Sequence, residues 1–172
     1  KFPMPPNNSN STSSLTRQMH HLRQKVDRID LKILQLLQQR IKLSLRIGQV
    51  KRRHGAPVYV PQREGELRTR VAALCKGKLP PQSVDAIFRE IMSNSRAAQG
   101  QAPLGLLRSS ADVVMAPARW QFGACDDFVV KKTWPELAAG IQAGALTLGL
   151  LTGEDLALIL KSSSARKPFL TR

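Results

Sequence analysis

Leu22, Val26, Ile29, Ile33, Leu36, Leu43, Ile47 and Val50 follow one another at helical spacings of three, four and seven, tracing one apolar seam along an α-helix. At position 40, where the seam calls for another aliphatic side chain, the sequence places Arg40. A lone guanidinium is costly to bury without a partner, so an anion is expected to meet Arg40 inside. No proline breaks the pattern from Leu15 to His54, and Gly55 followed by Pro57 stops it. A helix of that extent is roughly 60 Å long, about twice the width of a small domain. One chain cannot cover such a seam, and a second copy is the most economical cover, so a homodimer is expected.

The 172 residues allow one ordinary domain or one small domain and part of another. Aromatic residues make up only 5%, which leaves Leu, Ile, Val and Ala to build the core and favours helices. A net charge of +15 attracts nucleic acid, an anionic membrane or a small polyanion without choosing among them. Cys75 and Cys125 are far apart, and His20, His21 and His54 lack the spacing of helical metal ligands, so no metal is expected. No apolar run reaches the roughly 18 residues of a membrane span, and no signal-peptide core is present. A soluble protein of the reducing cytoplasm is expected.

Residues 1–14, rich in Pro, Asn and Ser, have the composition of a disordered leader. After the long helix, Pro61 suits the first turn of a second one over Gln62 to Leu74, with Leu67, Val71 and Leu74 on its apolar side. Pro80 and Pro81 precede a third, ending near Gln99, with Val84, Ile87, Phe88, Ile91 and Met92 facing inward. The inward stripe turns polar at Ser95 and Gln99, which are neighbours one turn apart. On an ideal helix Arg40 and Lys51 lie about 20° apart and roughly 16 Å along the axis, so both can close on one small ligand. Arg23 is about 25 Å from Arg40 and about 100° around, so on a straight helix it cannot reach the same ligand, whereas in an antiparallel partner it could reach the other chain's pocket. Arg63 and Glu64 open the second helix.

The runs LRQKVDRIDLKILQLLQQRIKLSLRIGQVK, PVYVPQRE and IFREIMSNSRAAQ resemble the all-helical class of chorismate mutase, in particular the mutase domain that precedes a prephenate dehydratase domain in bifunctional proteins. The resemblance covers residues 15–101 and implies an all-α, three-helix domain whose long first helices interlock in a dimer. It implies chorismate as substrate and prephenate as product, in the pathway to phenylalanine and tyrosine, with no cofactor. By position, Arg23 resembles the arginine borrowed from the partner chain, and Arg40 the arginine that holds a carboxylate in its own chain. Lys51 resembles the lysine that meets the second carboxylate and the ether oxygen. Glu64, with Arg63 beside it, resembles the acceptor for the substrate hydroxyl, and Ser95 and Gln99 the polar pair on the third helix, Gln99 donating to the ether oxygen. Val60 departs from the aspartate that some members carry, which removes a helix cap.

Residues 102–172 read as a small α/β segment, in which the stretch from Phe128 to Leu160 gives strand, helix, strand, then a helix capped by Thr152 with Asp155 three residues on. The segment is similar to the opening of a prephenate dehydratase domain, but LLTGEDL stands where that family has a Pro-Ile-Glu-Asn-Ser type motif, and its Thr-Arg-Phe motif is absent. A truncated, diverged or regulatory appendage without dehydratase activity is expected. Trp120 and Trp134 are expected to be packing residues. Two further readings stay open: a chorismate or aromatic amino acid sensor without turnover, and a basic helical nucleic-acid binder suggested by the charge and by the run from Lys51 to His54. The enzyme reading involves neither nucleic acid nor membrane.

Overall fold

The computed structural model describes residues 9–75 and 77–163. The element order is α1 (Ser9–Arg53), α2 (Pro61–Leu74), α3 (Pro81–Gln99), β1 (Leu104–Leu107), α4 (Ala111–Phe122), β2 (Phe128–Lys131), α5 (Trp134–Gln142), β3 (Gly149–Leu150) and α6 (Gly153–Ser163). Of the expected leader, residues 1–8 lie outside the described residues, and α1 begins at Ser9. Two compact units divide the chain, one ending at Arg40 and the other beginning at Ile41. The first holds most of α1, while the second takes its last turns and everything that follows.

In the first unit Leu22, Ile29, Ile33 and Leu36 are 50–63% exposed, so the seam is not covered within the single chain. The same holds in the second unit for Leu43, Ile47 and Val50. Lys51, Arg52 and Arg53 fill the last turn of α1, where cations complement the helix dipole.

Pro61 and Pro81 stand at the first turns of α2 and α3, where a missing N–H costs nothing and φ is already helical. Val60 precedes α2 without a side-chain cap, the consequence expected of the absent aspartate. Val84 and Met92 are buried as expected on α3, whereas Ile87 is 49% exposed, and Leu74 on α2 is exposed as well. These two residues depart from the inward-facing assignment because only part of each stripe meets another element of the same chain.

Beyond α3 the chain forms a three-stranded parallel sheet in the order β2-β1-β3. Leu104, Leu106 and Leu107 of the central strand are buried, and Leu107 joins Leu137 of α5 and Leu146 in the core. Complete burial of each such leucine contributes about 1.5–3 kcal/mol. Helix α6 begins as the sequence anticipates, with Thr152 Oγ1 accepting from the Asp155 N–H at 3.2 Å. Trp120 is 65% exposed, and the Arg89 guanidinium lies 5.4 Å from its ring, so its contact is with a cation rather than with the core.

Candidate active site

The seven residues singled out in the sequence fall into both units. Arg23, exposed, and Arg40, half-buried, belong to the first. Partial burial pulls the Arg40 guanidinium below the ordinary arginine value. Lys51, Arg63, Glu64, Ser95 and Gln99 belong to the second.

Within the second unit the last turns of α1 meet the end of α3. A Cβ at Gly48 would sit 2.8 Å from the Gln99 Cα and 2.9 Å from its carbonyl oxygen, so the glycine sets how closely the two helices approach. One turn on, Arg52 Nη1 donates to the Gln99 carbonyl at 2.8 Å. Lys51, on the same turn, is half-buried and donates from Nζ to the Val58 carbonyl at 2.8 Å. Burial lowers its affinity for the proton, and the charge of nearby Glu64 works in the opposite direction with less effect. A partly desolvated ammonium acts on its neighbours more strongly than one in bulk water.

On α3, Ser95 is buried and its hydroxyl donates to the Ile91 carbonyl at 2.8 Å. Gln99 Nε2 donates to the Ser95 carbonyl at 3.0 Å, while Oε1 is buried with no hydrogen-bond partner among the described residues. That bond takes one of the two amide hydrogens, and the expected donor role calls on the second. Arg63 is exposed and lies 3.5 Å from Glu66.

Glu64 is held by a residue absent from the sequence assignment. Arg96 Nη1 donates to both Glu64 oxygens, at 2.6 and 2.7 Å. Arg96 Nη2 donates to Asp126 Oδ2 at 2.7 Å and to the Phe122 carbonyl, and Nε reaches Asp126 Oδ1 at 3.4 Å. Arg96 and Asp126 are 4% and 2% exposed at their side chains. Burial opposes the charge on Arg96, but its hydrogen bonds to Asp126 and Glu64, with the charges of both carboxylates, outweigh it and hold the guanidinium above its ordinary value. Its carbon lies 5.8 Å from the Tyr59 ring centre and 5.9 Å from that of Phe122. Burial, followed by the Glu64 charge, raises the Tyr59 phenol. A cleft of about 130 Å³ beside this network is lined by Tyr59, Glu64, Arg68, Arg89, Met92 and Phe122 among others, and not by Lys51 or Gln99.

Sequence reasoning missed Arg96 because it sits one residue past Ser95, about 100° around the helix from the stripe that carries Ser95 and Gln99. Its partner Asp126 lies in a loop with no local motif.

The second unit thus offers an ammonium, an amide and an oriented carboxylate, a set suited to binding a small anion that carries a hydroxyl group. Among the described residues, no group of three or more His, Cys, Asp or Glu could hold a metal ion, and no helix is long and apolar enough to cross a membrane.

Residues 22–100 match the family described as Chorismate mutase type II. The chain is 30% identical over 88 residues to the chorismate mutase of Methanocaldococcus jannaschii, spanning 89% of that protein and 51% of this one. It is 34% identical over 142 residues to the bifunctional chorismate mutase/prephenate dehydratase of Aquifex aeolicus, 80% of this chain and 39% of the relative. It is 37% identical over 76 residues to the T-protein of Enterobacter agglomerans, 43% of this chain and 20% of that one. The chain therefore spans about two fifths or less of the length of these two longer relatives.

Proposed function

The chain belongs to the chorismate mutase type II family, and we propose that it rearranges chorismate to prephenate as a cytoplasmic homodimer, on the route to phenylalanine and tyrosine. The observation that carries this reading is the meeting of α1 and α3 at Gly48 and Gln99, with Lys51 on the adjoining turn close enough to Glu64 for their charges to interact. Lys51, Glu64, Ser95 and Gln99, all expected from sequence, belong to the second unit, which supports the reading. The uncovered seam supports the dimer, since Leu22, Ile29, Leu36, Leu43 and Val50 are each more than half exposed in a single chain.

The rearrangement is unimolecular, so the protein's work is to hold a dicarboxylate in its reactive conformer and to stabilise charge as the ether C–O bond breaks. Arg40 and, from the partner subunit, Arg23 clamp the carboxylates, a task for which a planar guanidinium is well shaped. Lys51 meets the second carboxylate and donates to the ether oxygen together with Gln99. That oxygen gains negative charge in the transition state, so these bonds strengthen there and raise kcat. Glu64 accepts from the substrate hydroxyl, and Arg63 and Ser95 complete the polar lining.

Conversion of chorismate by the purified protein, with the product identified as prephenate by proton NMR, tests the reading. Recovery of unchanged chorismate refutes it.

A further inference from the structure

The geometry points to Arg96 and Asp126 as positioning residues for Glu64, so that the α/β segment helps to build the mutase site through the loop between α4 and β2. This rests on the reading of Glu64 as acceptor for the substrate hydroxyl. Glu64 lies on α2, a helix with no buried residue and no side-chain cap, which Arg68 ties to Asp85 of α3 at 2.6 and 2.8 Å. Arg96 fixes the Glu64 carboxylate itself. With both Glu64 oxygens on one nitrogen, each oxygen keeps a lone pair for another donor, and the carboxylate is fixed without being used up.

Arg96 in turn cannot swing. It has five N–H donors, and the bonds to Glu64, Asp126 and the Phe122 carbonyl engage every one of its nitrogens. Asp126 is held from two further sides, accepting from the Ser93 hydroxyl at 2.9 Å and from Gln101 Nε2 at 2.6 Å. The loop that carries it is seated on α3 by the Ala124 N–H on Glu90 at 2.9 Å and the Cys125 N–H on the Ser93 hydroxyl at 3.0 Å. Gly123 permits that seat: its φ is 93°, and a Cβ there would lie 2.7 Å from the Ser93 Cβ. A continuous chain of hydrogen bonds thus runs from the loop entering β2 to the Glu64 carboxylate. A residue that acts in this way affects turnover only through the group it positions, and a double-mutant cycle separates that from plain structural support.

The test measures kcat and KM for chorismate in the full chain, in Asp126→Asn, in Glu64→Gln and in the double variant. Misplacing a reacting contact by about 1 Å can cost on the order of 100-fold, so Asp126→Asn is expected to lower kcat/KM by about 10-fold, mostly in kcat. In the Glu64→Gln background the same change is expected to add less than about twofold. An equal loss in both backgrounds, or no loss in either, overturns the proposal while Glu64 and the mutase reading stand. If Asp126→Asn does not fold, Ser93→Ala replaces it in the same cycle, with a loss of about twofold to fivefold expected only when Glu64 is present. A wild-type chain without turnover removes the mutase reading itself, and the proposal with it.

Discussion

Arg96 donates from a single nitrogen to both oxygens of Glu64, at 2.6 and 2.7 Å, while its other nitrogens hold Asp126. One buried cation thereby joins α2 and α3 to the loop that leads into the sheet. Arg96→Ala leaves the Asp126 carboxylate buried without its counter-charge, which is expected to cost about 3–5 kcal/mol of stability. The midpoint of urea unfolding checks this, and a loss below about 1 kcal/mol, the worth of an exposed pair, contradicts it.

Gly48→Ala places a methyl group against the Gln99 backbone, which cannot rotate away as a side chain would. The helices must part to relieve contacts of 2.8 and 2.9 Å. An overpacked contact of this kind costs about 1–3 kcal/mol, and a fall in kcat/KM is expected to accompany the fall in Tm. Unchanged Tm and turnover would show that the α1–α3 approach does not set the site.

A borrowed Arg23 makes a specific prediction for mixed dimers. Arg23→Ala and Lys51→Ala are each expected to be inactive alone, yet a dimer containing one chain of each has one site with both residues intact. Equal mixing after unfolding and refolding should restore about a quarter of wild-type activity, since about half the dimers are mixed and half their sites are whole. Activity that stays at the level of the single variants would place Arg23 outside the partner's site.

The pH profile follows from Lys51. Burial lowers its proton affinity, so the protonated donor is lost at a lower pH than for an exposed lysine, and kcat/KM is expected to fall early on the alkaline side. In Lys51→Arg, whatever activity remains should keep its level through that range, because guanidinium does not deprotonate there. An alkaline limb identical in both proteins assigns it to another group.

Much of this was legible in sequence because it is written locally. The seam, the stop at Gly55, the prolines opening α2 and α3, and the Thr152 cap each depend on residues within a turn or two of one another. Helix α4 was hidden, since Pro117 lies inside it and reads as a breaker. The Arg96–Asp126 pair was hidden for a different reason: the two residues are brought together by the fold across an intervening strand and helix, and neither belongs to a recurrent motif. Exposure of the seam in a single chain, by contrast, was legible, because a helix of roughly 60 Å outruns what one small domain can cover.

Turnover is the direct test of the mutase, and loss of chorismate absorbance measures it. Purified protein is expected to consume chorismate continuously, with kcat/KM reduced by several orders of magnitude in Lys51→Ala and in Arg40→Ala while both variants still form dimers. Absorbance that stays constant with wild-type protein, or near-normal turnover in either variant, would contradict it.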